Sequence, residues 1–150
     1  MASSTQRKTW REKLEAAKAK PDLPKVFLCG KTRKRMVVPS PAEIEAAIRS
    51  IRRGRVMMMD ELCRRLSVAH KADVACPITT GIFAWLVAHA AQESSDAGAK
   101  RTAPWWRLLK TGGLLNPKYP GGGELQRQRL EAEGHKVLAK GRQLVLAQGG

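Results

Sequence analysis

Apolar positions recur along this chain at a helical period through its middle and in short β-prone runs near both ends. Trp10, Leu14 and Ala17 share one face of a short amphipathic helix, which Pro21 and Pro24 end. Val26-Phe27-Leu28 and Met36-Val37-Val38, separated by Gly30 and the cluster Lys31, Arg33, Lys34 and Arg35, predict a small hairpin or a pair of edge strands. Ser40-Pro41-Ala42-Glu43 is a helix start: the serine accepts from orphan amides, the proline suits the first turn, and Glu43 can close a capping box. Ile44, Ile48 and Ile51 line one face of that helix until Gly54 breaks it. After the apolar link Val56-Met57-Met58, Asp60 can cap a further helix with Leu62 and Leu66 inward.

The next helix starts near Pro77 and runs to about Gln92, with Ile78, Ile82, Trp85, Leu86 and His89 forming its apolar stripe. Ser94 to Lys100 is a loop or a frayed helix end, and it leads to Thr102-Ala103-Pro104-Trp105-Trp106-Arg107. Glycines at 112, 113 and 121 to 123 demand tight turns on both sides of Tyr119. Glu124 to about Glu133 is a last helix, with Leu125 and Leu130 inward. Val137 to Ala139 and Gln143 to Leu146, joined by Lys140-Gly141-Arg142, read as a hairpin that fits the wing of a winged helix. The fold class expected is mainly α with a short β-hairpin, a winged helix-turn-helix-like domain over residues 36–150. Residues 1–35 form a basic, partly flexible N-terminal arm, either a solvated tail or a segment that touches phosphates.

Charge narrows the class of partner. Lys and Arg number 28 against 13 acidic residues, a net of +15, which favours nucleic acid ahead of an anionic membrane surface. No stretch approaches the roughly 20 apolar residues of a spanning helix, so a soluble, cytoplasmic chain is expected, nucleoid-associated if the source is bacterial. Cys29, Cys63 and Cys76 are widely spaced and form no CxxC pair, and His70, His89 and His135 have no partners at metal-ligand spacing. Neither a metal nor a cofactor is expected. Gly121 to Gly123 lacks the preceding strand and following Lys-Ser/Thr of a nucleotide loop, leaving a turn whose amides approach a phosphate.

Several segments, in one order, resemble the DNA-binding domain of the O6-alkylguanine-DNA alkyltransferases. They are Arg53-Gly54-Arg55-Val56 before a helix, Pro104-Trp105-Trp106-Arg107-Leu108-Leu109, Gly113-Leu114-Leu115, Tyr119, Gly121-Gly122, and Leu130-Glu131-Ala132-Glu133-Gly134, spanning about residues 40 to 136. The family's central motif is Pro-Cys-His-Arg-Val, whose Cys accepts the alkyl group. Here Trp105 and Trp106 stand at the Cys and His positions, and an indole supplies no thiolate, so the resemblance implies a scaffold without transfer chemistry. Replacement of that Cys by Trp marks the alkyltransferase-like branch, which binds alkylated DNA and hands it to other repair proteins. Glu133 matches the family's relay acid and, lacking its partners, is expected to be a structural carboxylate paired with an Arg.

The resemblance implies that the helix after Pro77 enters the minor groove of double-stranded DNA. Phosphate contacts are expected from Arg53, Arg55, Lys71, Thr79, Thr80, Tyr119, Gly121, Gly122, Lys140 and Arg142. A pocket for an extruded base would be built from Pro104, Trp105, Trp106, Arg107 and Tyr119, with Trp105 either stacking on the base or filling the vacated space. The family's phosphate-turning Tyr and its gap-filling Arg have no counterparts, the matching places being about Met59 and Ala72-Asp73. Three functions stay open: a monomeric lesion sensor, a lesion-independent DNA binder, and an alkyl acceptor acting through Cys76 at a helix N-terminus.

Overall fold

The computed structural model describes residues 8–147 and contains five α-helices, small sheets and two 3-10 turns. Helix α1 (Trp10–Lys18) is followed by the strands β1 (Lys25–Leu28) and β2 (Arg35–Val38), then by α2 (Pro41–Arg49) and β3 (Met57–Met58). Helix α3 (Met59–Ala69) leads through β4 (Val74–Ala75) to the long α4 (Pro77–Asp96). Strand β5 (Leu108–Leu109), helix α5 (Glu124–Ala132) and the hairpin β6 (Val137–Lys140) and β7 (Gln143–Leu146) complete the chain. β1 and β2 pair antiparallel and β4 joins β2 in parallel, while β3 pairs with β5 in parallel, Met57 opposite Leu108.

Local rules account for several boundaries. Both α1 and α2 open with complete capping boxes, Thr9 with Glu12 and Ser40 with Glu43, each satisfying orphan amides reciprocally. Helix α3 starts earlier than an Asp60 cap would place it. Its N-cap is Met58, because β3 pairs with β5 and delivers the chain straight into the helix, and Asp60 lies in the first turn, where its charge suits the dipole.

The segment expected as a basic arm holds α1, and from there on it packs with the rest. Leu14 and Ala17 are buried in the main core, and the Glu93 carboxylate on α4 accepts from the amides of Trp10 and Arg11 at 3.1 Å each. Trp10 stacks on His89, ring centroids 4.3 Å apart, and meets Trp85 edge-on at 4.8 Å. Residues 1–7, including Arg7 of the expected arm, and 148–150 lie outside the described residues. Helix α4, which carries Glu93, runs to Asp96, beyond the expected end near Gln92.

The buried face of α4 matches the stripe that the spacing singled out only in part, at Leu86 and, half-buried, at Trp85. Phe83, Ala84, Leu86, Val87, Ala88, Ala90 and Ala91 face the core, whereas Ile78 and Ile82 are exposed. Its first four turns are apolar nearly all round, so period alone could not choose a face. Ala84, Ala88 and Ala91 are small buried side chains of this helix, and they share the main core with Leu14 and Ala17 of α1, Ile44 and Ile48 of α2, and Ala103.

A second, smaller cluster of Leu109, Leu115 and Leu130 lies under the hairpin, with Trp106 packed against both clusters. Gln126 on α5 is fully buried between them. Its Oε1 accepts from the Asn116 amide at 3.0 Å, and its Nε2 donates to the carbonyls of Trp106 and Leu108 at 3.2 and 3.1 Å. Among the described residues no helix is long and apolar enough to cross a membrane. Gln126→Leu should lower stability by about 2–4 kcal/mol, since it strands buried backbone groups on two loops. Urea unfolding would show this as a lower midpoint at unchanged slope.

Candidate nucleic-acid interface

Trp105, Trp106 and Arg107 form a single 3-10 turn that feeds β5 into its pairing with β3. The turn sends the consecutive indoles to different places. Trp105 is 1% exposed, edge-on to Trp106 and Tyr119, with its Nε1 donating to Gln92 Oε1 at 3.3 Å. It fills the core instead of walling an open pocket. Trp106 is half-buried and donates its Nε1 to Glu133 Oε2 at 3.0 Å, with the Arg129 guanidinium 5.0 Å from its ring centre.

Arg107 is fully engaged with its neighbours. Its Nη2 and Nε donate to Glu133 at 2.7 and 3.0 Å, and its Nη1 donates to the Ile51 carbonyl at 2.7 Å. Burial would push the Glu133 carboxyl up, but Arg107 and the Trp106 indole outweigh that and hold it below the ordinary glutamate range. Tyr119 is buried as well, which pushes its hydroxyl far above the usual range and keeps it from any phosphate. The expected base pocket is therefore divided: Trp105 and Tyr119 belong to the core, while Pro104, Trp106 and Arg107 border a basic cleft of about 340 Å³ with Ser95, Lys100 and Arg101. That cleft adjoins the C-terminal end of α4.

The larger opening lies along the first half of α4. A cleft of about 750 Å³ is lined by Ile78, Gly81, Ile82, Trp85 and His89 on one side and by Lys110, Asn116, Pro117 and Lys118 on the other, with Trp10 at its back. Its wall is fixed by hydrogen bonds from Trp85 Nε1 and His89 Nε2 to the Lys118 carbonyl, at 3.2 and 2.9 Å. Among the described residues two lysines line it and no carboxylate does. Lys110 and Pro117 also line a smaller cleft with Gly122 and Arg142, so the hairpin tip adjoins this face.

Other expected contacts fare differently. Arg53, Arg55, Lys71, Lys140 and Arg142 are exposed, and Arg53 also reaches the Ala132 carbonyl at 3.3 Å. Thr80 has no exposed surface and cannot touch a duplex; burial of this side of α4 against α3 removes it. Thr79 is half-buried, its Oγ1 3.3 Å from Cys76 Sγ. Gly121 and Gly122 are exposed, but the Gly122 amide donates to the Tyr119 carbonyl, and a Cβ on Gly121 would lie 2.4 Å from that of Leu125. Turn geometry and helix packing thus account for these glycines without a phosphate.

Met59 borders a separate cleft with Asp60, Cys63 and Pro77. Ala72 and Asp73 do not begin α4: Asp73 exchanges hydrogen bonds with Arg35 in the turn before it, and Ile78, 73% exposed, projects from the first turn of the helix. Cys76 is the N-cap residue of α4. Burial would raise its thiol, but the Thr79 hydroxyl and nearby amides outweigh this and lower it, and the cleft along α4 does not include it. Lys110, Lys118 and the exposed isoleucines are the site residues that sequence reasoning missed; the lysines carried no signal beyond their charge.

Breaking the buried pair by Glu133→Gln should cost about 3–5 kcal/mol by leaving Arg107 with an uncompensated charge. Because the folded carboxyl is depressed below 4.5, the pair's contribution is present above that value and is lost as pH falls through the folded one. Unfolding midpoints measured from pH 7 to 3 should therefore drop for the wild type and respond less in the variant.

No protein-family model matches the sequence, and no curated protein matches it. Among solved structures, the chain is similar to S. pombe Atl1 in complex with damaged DNA containing O6-carboxymethylguanine, at 19% identity over 71% of this chain and 87% of that one, with a TM-score of 0.47. It is also similar to S. pombe ATL in complex with DNA, at 16% identity over 72% of this chain and 87% of that one, with a TM-score of 0.50. At this identity what the second match establishes is the fold, and the chain shares the fold of S. pombe ATL.

Proposed function

We propose that this chain is a non-catalytic, alkyltransferase-like DNA-binding protein that docks the first half of α4 in the minor groove. The observation that carries this is the open face of α4, edged by Lys110 and Lys118, lined by no carboxylate, and adjoined by Arg142 at the hairpin tip. A polyanion is the partner that such a face favours, in keeping with the net charge of +15. That S. pombe ATL is described in complex with DNA supports the same partner. In this reading α3, its turn and α4 serve as the helix-turn-helix, and β6–β7 is the wing. Arg53, Arg55, Lys71 and Lys140 hold phosphates, with Lys110 and Lys118 added.

The finer reading is recognition of an O6-alkylguanine turned out of the stack for downstream repair proteins. Its support is the cleft itself, whose roughly 750 Å³ and aromatic back wall of Trp10, Trp85 and His89 would admit a nucleobase. A second reading, lesion-independent binding, is favoured by the burial of Trp105, which removes the matching family pocket. Alkyl transfer has no support, since Trp105 offers no thiolate and Cys76 lies outside the cleft.

Fluorescence anisotropy of a labelled duplex, with and without one O6-methylguanine, separates these readings. Binding should weaken with salt at a log–log slope of roughly −5 if about six phosphates are contacted, and a flat salt response would sink the electrostatic argument. Preference for the lesion with quenched Trp emission supports sensing, equal affinity supports the lesion-independent reading, and no binding removes both. The intact mass of the protein should be unchanged after incubation with the alkylated duplex; a gain of one methyl group would reinstate Cys76.

A further inference from the structure

The outer face of α4 carries apolar side chains that the described residues leave uncovered. Ile78 is 73% exposed and Ile82 49%, one turn apart on the same side. Gly81 lies beside them on that face, where a Cβ would meet no atom within 4 Å. Its backbone is ordinary helix, so neither packing nor conformation within this chain calls for glycine, and glycine weakens a helix interior relative to alanine. Two exposed β-branched residues beside an unneeded glycine do nothing for the stability of the isolated fold. They suit the close approach of something flat.

The surroundings select what that partner is. Lys110 and Lys118 stand across the cleft from the isoleucines, Lys71 is exposed in the turn leading to α4, and no carboxylate lines the opening. A hydrophobic protein partner does not require this positive edge, whereas duplex DNA supplies both a polyanionic rim and an apolar interior of stacked bases. Proteins that enter the minor groove commonly insert Ile, Leu, Met or Phe between base steps and kink the duplex. The helix that carries the projecting side chain is anchored: Pro77 sets the first turn, and farther along α4 the Lys118 carbonyl ties down Trp85 and His89.

We propose that Ile78 is an apolar wedge that enters a base step of duplex DNA from the minor groove, with Ile82 packing on the adjacent sugars and Gly81 letting the helix backbone come close. This rests on the DNA-binding reading above and gives it a way to open the stack without a gap-filling Arg. The lysines hold the flanking phosphates while the wedge unstacks the step.

The test uses the full chain with duplexes carrying 2-aminopurine at one step and a donor–acceptor pair at the ends. Wild type should raise 2-aminopurine emission and shorten the end-to-end distance. Ile78→Ala should lose both signals yet bind within about tenfold at low salt, because phosphate contacts supply most of the affinity there. Ile78→Leu should retain both signals, and thermal unfolding of each variant confirms that its fold is intact. Binding by wild type without unstacking or bending overturns the wedge and leaves DNA binding standing; absence of duplex binding overturns both. Concentration-dependent self-association in sedimentation that Ile78→Ala abolishes would also overturn it, assigning the face to a second copy of the chain.

Discussion

The Glu133 carboxylate is the point on which the second half of the fold turns. It stands at the end of α5 and receives the Trp106 indole and the fork of Arg107, whose remaining nitrogen reaches back to the Ile51 carbonyl just beyond α2. One acidic group thereby joins three segments that are distant in sequence. With Arg107 fixed, the 3-10 turn has one orientation, Trp105 points into the main core, and β5 meets β3 in register. Gln126 does the corresponding work with neutral groups, holding the carbonyls of Trp106 and Leu108 and the Asn116 turn to α5. In this setting Arg107 and Glu133 are cross-links, and neither is free to act on a ligand.

Helix α4 carries the other organising constraint. It is too apolar to stand alone, and its sides are taken up unequally. Toward its C-terminal end, α1 covers it through Trp10 and ties Glu93 to the helix start, while toward its N-terminal end one side remains open. The apolar residues left there, in a protein of such positive charge, are the basis for reading the open half as the surface that meets DNA. The basic cleft at the other end, beside Trp106 and Arg107, is small and partly occupied by their internal pairing.

The start of α2 was legible because capping is local: Ser40-Pro41-Ala42-Glu43 encodes its own box within four residues, whereas the start of α3 at Met59 is set by the pairing of β3 with β5. The β1–β2 and β6–β7 hairpins were legible for the same reason, as was the pairing of Glu133 with an Arg. The expectation of no transfer chemistry rested on the resemblance, which sets Trp105 where the family has its Cys, and on the fact that an indole supplies no thiolate. The base-pocket and phosphate-contact residues were harder to read. Tyr119 and Thr80 are polar and were reasonable contacts by position, yet both are enclosed.

What the sequence by itself determined were the features set by short-range chemistry: the capping box of α2, the glycine turns, the two hairpins and the net charge. Tertiary structure alone decided which face of α4 is buried, that α1 belongs to the packed unit, and that Lys110 and Lys118 stand opposite Ile78 and Ile82. The reason is physical. A helix that is apolar nearly all round has no preferred inner face until its partners arrive, and a cleft between residues some 30 positions apart comes into being only when the chain closes.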